Sequence, residues 1–206
     1  TPCGTLFPYT TLFRSVVFQK GPANIEMSCN EMYDGFNGVE FRGEDGGTIE
    51  NVVFSRNLVR DYSGYGLKFD GVTGVEIHHN TFVRLGNDGL RIEGGGLAEA
   101  TVYNNLWVDT GTVEGGGFVA DHNGYFNAST DIDGANDVTG DPLLDATYRL
   151  GEGSVMVDAG RDLGLPFDGV APDLGWRERG LDGCAEPSGT GGGGGGGADG
   201  VHPWQG

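Results

Sequence analysis

Hydrophobic residues along this chain fall into short blocks that keep a fixed offset from an asparagine. Four units share the pattern: Ile25-Glu26-Met27-Ser28-Cys29-Asn30-Glu31-Met32, Val52-Val53-Phe54-Ser55-Arg56-Asn57-Leu58-Val59, Val75-Glu76-Ile77-His78-His79-Asn80-Thr81-Phe82 and Ala100-Thr101-Val102-Tyr103-Asn104-Asn105-Leu106-Trp107. The asparagines are 27, 23 and 25 residues apart. Counted from the asparagine, positions −5, −3 and +2 are apolar in every unit. The alternation at −5 and −3 is that of a half-buried strand and predicts strand, not helix. A second block follows, opened each time by glycine: Gly38-Val39-Glu40-Phe41, Gly66-Leu67-Lys68-Phe69, Gly89-Leu90-Arg91-Ile92 and Gly117-Phe118-Val119-Ala120. Glycine at that place predicts a corner with positive φ or close backbone approach, followed by another short strand.

One such unit cannot bury its apolar side alone, so a repeat of this length predicts a stacked array of parallel strands about 4.8 Å apart. Met27, Phe54, Ile77 and Val102 are expected to form one interior column, and Met32, Val59, Phe82 and Trp107 a second. Val39, Leu67, Leu90 and Phe118 form the third, and Phe41, Phe69, Ile92 and Ala120 the fourth. Asn30, Asn57, Asn80 and Asn105 then stack at a bend, where amides hydrogen-bond to one another and to turn backbone. Outside, Glu40, Lys68, Arg91 and Val119 should line one row facing solvent, and Arg42, Asp70, Glu93 and Asp121 the next.

With these features residues 16–130 resemble the right-handed parallel β-helix family, of pectate-lyase-like fold, whose coils carry such an asparagine ladder. The resemblance implies an all-β right-handed solenoid, an extracellular location and a carbohydrate ligand. Residues 141–176, with Asp141-Pro142-Leu143-Leu144, Tyr148-Arg149-Leu150, Gly153-Ser154, Val157-Asp158-Ala159-Gly160 and Pro172-Asp173-Leu174-Gly175-Trp176, resemble the closing segment of secreted bacterial β-helix proteins. A capping segment over 131–177 is expected, since the last coil of a solenoid exposes core and strand edges.

The ends read differently. Residues 5–15 resemble the translation of a sequencing adapter, and 1–15 are expected to be foreign, because Val16-Val17-Phe18-Gln19 enters in the register of Val39-Glu40-Phe41-Arg42 without its glycine corner. An N-terminally truncated solenoid is therefore expected. Residues 178–206 contain seven consecutive glycines, Gly191 to Gly197, and read as a flexible tail leading to an anchor or arising from a sequencing error.

The net charge of −18 opposes nucleic acid and anionic membrane as partners and favours cations, basic groups or neutral glycans. No apolar run is long enough to span a membrane. Cys3, Cys29 and Cys184 offer no disulfide framework, so the secreted or cell-surface location rests on the resemblance and on composition. The oligomeric state is left open.

Candidate chemistry lies on the outer rows. Lyases resembling this fold pair a lysine with an arginine on adjacent coils: a base takes the proton alpha to a uronate carboxyl, and positive charge or calcium stabilises the enolate. On that resemblance Lys68 is the candidate base and Arg91 the candidate charge neutraliser. Opposite charges alternate along each row, Glu40 with Arg42, Lys68 with Asp70, Arg91 with Glu93, which is also the pattern of ordinary surface pairs. Asp70, Glu93 and Asp121 on successive rungs would repel one another and are the candidate Ca2+ ligands. A hydrolase reading would pair Asp70 with Glu93. Tyr62 and Tyr65 are candidate sugar-stacking residues. Asp131, Asp133, Asn136, Asp137 and Asp141 read as an acidic turn. His78 and His79, adjacent and therefore pointing apart, read with His122 as surface histidines. A polysaccharide or cell-surface glycan is the expected partner, processed or merely bound. The alternative is a non-catalytic adhesion solenoid with a tethering tail.

Overall fold

A computed structural model describes residues 12–13, 15–19, 23–43, 47–93, 99–114, 117–132 and 134–181. Among them there is no helix, and the structure is all-β. In chain order the strands are β1 (Leu12–Phe13), β2 (Val16–Gln19), β3 (Ala23–Ser28), β4 (Glu31–Gly35), β5 (Val39–Arg42) and β6 (Ile49–Ser55). Next come β7 (Leu58–Tyr62), β8 (Leu67–Asp70), β9 (Val72–His78), β10 (Thr81–Leu85) and β11 (Leu90–Glu93). The last are β12 (Thr101–Tyr103), β13 (Leu106–Val113), β14 (Val119–Asp121), β15 (Gly124–Thr130) and β16 (Val138–Thr139).

Every pairing is parallel and joins one coil to the next, giving three faces. Sheet A stacks β3, β6, β9, β12 and β14. Sheet B stacks β1, β4, β7, β10, β13, β15 and β16, and sheet C stacks β2, β5, β8 and β11. Strand β13 turns the B–C corner: Trp107 pairs with Phe82, while Val113 pairs with Leu90. Leu12 and Phe13, inside the segment expected to be foreign, pair with Glu31 and Met32.

The interior columns follow from these registers. Met27, Phe54, Ile77 and Val102 are successive partners, as are Met32, Val59, Phe82 and Trp107. Rings stack along the coils, Phe18, Phe41 and Phe69 on sheet C spaced at 4.9 and 5.0 Å and Phe82 on Trp107 in sheet B at 4.0 Å. The third and fourth columns hold for Val39, Leu67, Leu90 and for Phe41, Phe69, Ile92, but not for their last members. Val119 pairs with Thr101 and Ala120 with Val102, so Gly117-Phe118-Val119-Ala120 opens sheet A of the next coil and does not continue sheet C.

Corner geometry explains both the regularity and that slip. Each coil has left-handed residues at −6, −1 and +4 from its asparagine: Asn24, Asn51, Gly74, Glu99 and Gly117; Cys29, Arg56, His79, Asn104 and His122; Asp34, Asp61, Arg84, Asp109 and Asn127. Their φ values run from 49 to 75°, a region that asparagine, aspartate and glycine enter at least cost. Gly117 occupies the −6 position and needs its positive φ. Gly38, Gly66 and Gly89 serve close approach instead: a Cβ on Gly38 would collide with Gly66 O, and one on Gly89 would sit 2.8 Å from the Trp107 ring.

The ladder runs one rung further than the repeat suggests. Asn30, Asn57, Asn80 and Asn105 each send backbone N–H and side-chain Nδ2 to the Oδ1 of the next asparagine at 2.9 to 3.1 Å, and the fifth member is Asn123. All five are fully buried. Asn123 N donates to Asp137 Oδ1 at 2.8 Å, which ends the stack on a carboxylate. Burial is the main influence on Asp137 and raises its pKa. Cys29 is disulfide-bonded, contrary to the expectation that the cysteines offer no framework.

Segment 141–177, part of the expected cap, packs along the side of the stack. Leu150, Met156, Leu174 and Trp176 bury themselves against Leu58, Val83, Leu106 and Val108 on the outer side of sheet B. Trp176 N donates to Thr81 Oγ1 at 3.0 Å and Gly175 N to Asn104 O at 2.9 Å. The outer side of sheet B is thereby covered by this segment. Of the tail expected over 178–206, Glu178 and Arg179 instead bond to Asp173, Asp173 N donating to Glu178 Oε1 and Arg179 N to Asp173 Oδ2, both at 2.9 Å; Asp133 and residues 182–206 lie outside the described residues.

Candidate functional site

Sheet C brings three of the predicted site residues into one network. Glu40, Lys68 and Arg91 are register partners on β5, β8 and β11, and Arg42, Asp70 and Glu93 form the neighbouring row. Glu40 and Lys68 face outward yet are 2% and 9% exposed, against the expectation of solvated side chains. Asn37 Nδ2 donates to Glu40 Oε1 at 2.7 Å, and Arg42 pairs with Glu40. Lys68 Nζ reaches Glu93 Oε2 at 2.8 Å and lies 5.5 Å from the Tyr65 ring centre. Arg91 bridges Glu93, at 2.9 Å, and Asp88, at 3.0 Å.

These contacts set the protonation states. Burial disfavours the Lys68 charge, but the hydrogen bond to Glu93 and the neighbouring Tyr65, Glu93 and Glu40 outweigh it, holding the ammonium above its usual range. The hydrogen bonds from Lys68 and Arg91 hold Glu93 below the usual carboxylate range. A lysine kept protonated in this way has no lone pair with which to take a proton at neutral pH. The network can orient and hydrogen-bond a ligand, and Lys68, the candidate base, is engaged by Glu93 within it.

The candidate calcium set does not assemble. Asp70 and Glu93 are neighbours, but Asp121 lies on β14 of sheet A, beside Tyr103. There it accepts Asn136 N at 2.7 Å and Asn136 Nδ2 at 2.8 Å and pins the turn that follows β15. The repulsion expected between stacked acids is met on sheet C by Lys68 and Arg91. Among the described residues no three His, Cys, Asp or Glu side chains gather as metal ligands do.

A family profile described as "Right handed beta helix region" matches residues 13–132, more than half of the chain. The chain belongs to the right-handed β-helix family. No curated protein matches it.

The aromatic candidates of this β-helix separate. Tyr62 is 2% exposed, its hydroxyl pKa raised chiefly by burial, and it is a core residue, not a sugar platform. It takes the inward place that Gly35 and Leu85 hold on the neighbouring coils. Tyr65 remains partly exposed at the mouth of sheet C. Beside it stands a residue that the repeat pattern does not single out. Phe36 is 72% exposed, and Ser63 N and Gly64 N donate to Gly35 O and Phe36 O. Six residues after the asparagine the coils read Phe36, Ser63, Gly86. A large ring where its equivalents are small was the available signal.

The two histidines of the third β-helix coil also depart from expectation. His79 is 4% exposed, and the Nδ1 atoms of His78 and His79 are 3.2 Å apart with rings perpendicular. Burial lowers their pKa values to about 4 and about 3. Asn104, its amide fixed by Arg161 N at 2.8 Å and Arg161 O at 2.7 Å, presents Nδ2 to His79 Nε2 at 2.9 Å. His79 Nε2 is therefore the acceptor, and its Nδ1 proton points to His78. This relay joins the coil to the segment covering sheet B.

Proposed function

We propose that this β-helix protein binds carbohydrate at the cell exterior, on the outer side of sheet C and the adjoining B–C corner. The observation that carries the reading is Phe36, 72% exposed beside Tyr65, in a chain whose phenylalanines Phe41, Phe54, Phe69 and Phe82 are fully buried. Exposed rings on a rigid scaffold offer the apolar face of a pyranose a stacking platform. Asn37, Asn87, Asp88 and Arg91 lie within the same corner and the first residues of sheet C, where sugar hydroxyls would find partners. Parallel rungs fix these groups at a constant repeat, which suits a polymer better than a single small molecule.

Binding without turnover is the form we favour, because Lys68 is held protonated by Glu93. A screen of immobilised oligosaccharides against the full chain tests the reading. Phe36→Ala and Tyr65→Ala should each weaken capture by about tenfold, the scale of a single aromatic stacking interaction, with melting temperature unchanged. Incubation with pectate, alginate or glycosaminoglycan should yield no unsaturated product absorbing in the ultraviolet. Retained capture by both variants would overturn the assignment of the surface, and such a product would overturn its non-catalytic form.

A further inference from the structure

Resting on the carbohydrate reading, we propose that the outer side of sheet C takes a glycan carrying free amino groups, with Asp70 the carboxylate that meets the ammonium. The cations of this surface are already engaged: Lys68 by Glu93, Arg91 by Glu93 and Asp88, and Arg42 by Glu40. A uronate or sulfate would have to break one of these pairs and approach a chain of net charge −18. What stays available is acceptor capacity. Asp70, partly exposed between the Arg42 and Glu93 rungs, forms no ion pair among the described residues.

Among the described charged residues of β5, β8 and β11, Glu40, Glu93, Arg42, Lys68 and Arg91 all lie in ion pairs and Asp70 does not. A donor-rich, positively charged ligand is the complement. Tyr65 precedes Asp70 by five residues, about 16 Å along an extended strand, so a short oligosaccharide stacked at the Phe36–Tyr65 corner can place an amine on Asp70. Acetylating that amine removes its charge and puts a carbonyl acceptor against the carboxylate.

Three oligomers of equal length decide the matter by calorimetry on the full chain: β-linked glucosamine, its N-acetylated form and oligogalacturonate. The glucosamine oligomer should bind about fivefold more tightly than the acetylated one, the scale of one near-surface charge pair. That advantage should vanish in Asp70→Asn and at high salt. It should persist in Glu76→Gln, which removes an exposed acid from sheet A and controls for net charge. Binding of the acetylated oligomer by Asp70→Asn at wild-type strength shows that the variant is folded. Equal binding of amine and acetylated forms, tighter binding of the uronate, or an advantage that survives Asp70→Asn overturns the amine assignment and leaves the carbohydrate reading standing. Failure of all three oligomers to bind overturns both.

Discussion

Each interior asparagine of the ladder donates twice downstream and accepts twice from upstream, so its removal is felt on both neighbouring rungs. Without the Asn80 side chain, Asn57 N loses its acceptor, Asn57 Nδ2 keeps only Met27 O, and Phe54 O loses its donor. Asn30 differs: its Oδ1 accepts nothing, and Asn57 Oδ1 still holds Asn30 N if the amide is cut away. At roughly 1–3 kcal/mol for each buried group left unsatisfied, Asn80→Ala should cost roughly 3 kcal/mol or more and Asn30→Ala roughly 1. Urea denaturation of both variants checks the ranking; equal costs would mean that the stack does not act as a chain of coupled amides. Four of the five asparagines were legible because each is flanked by the same apolar positions at nearly constant spacing. Asn123 was not, because its coil is only 18 residues long. Strand β13 runs through the B–C corner there, and the missing glycine block shifted the alignment onto Gly117. The same shift carried Asp121 into the wrong row, and no pattern of charges could have corrected it without the register.

At the scale of elements, strand content and stacking direction could be read from period-two alternation, since each strand has one face in the core. The placement of segment 141–177 could not, because its apolar residues have no period and any apolar surface would accept them. The outward residues Leu58, Val83, Leu106 and Val108 were the clue: aliphatic side chains recur on the outer side of sheet B, where a solvated face would carry polar ones. Trp176, 5% exposed, anchors the segment, and its indole N–H donates to Tyr148 O at 3.0 Å. Tyr148 in turn accepts from Arg84 at 2.7 Å. Trp176→Ala should cost about 3–5 kcal/mol at that contact. Hydrogen exchange should then show residues 141–177 losing protection while the interior columns of sheets A and C keep theirs. Uniform loss across the chain would show the segment to be part of one cooperative unit with the coils.

The whole molecule should have a stability maximum bounded by different groups on each side. His78 and His79 have folded pKa values of about 4 and about 3, below the ordinary 6.5, because burial penalises the imidazolium. The unfolded chain therefore binds protons first. Their neutral forms cost nothing above pH 6.5, and stability falls progressively as pH drops from there towards the folded values. Glu178 is the opposite case. Burial, with Asp173, Asp158 and Asp168 adding repulsion, pushes its pKa up to about 8 from 4.5, so the folded state holds the proton more tightly. Its contribution is complete below pH 4.5 and is lost as pH rises towards 8. Over pH 4.5–6.5 the two effects oppose each other, and melting temperature should peak in or near that window and fall on both sides. His79→Gln keeps an acceptor for Asn104 without a titrating ring and should flatten the acid limb. Glu178→Gln keeps an acceptor for Asp173 N, which now donates to the carboxyl at 2.9 Å, and should flatten the alkaline limb. A melting profile whose acid limb is unchanged in His79→Gln would assign that limb to paired carboxylates such as Asp61, held low by its hydrogen bonds to Arg84 and Arg60 against the opposing effect of burial. The histidine relay would then be a passive contact.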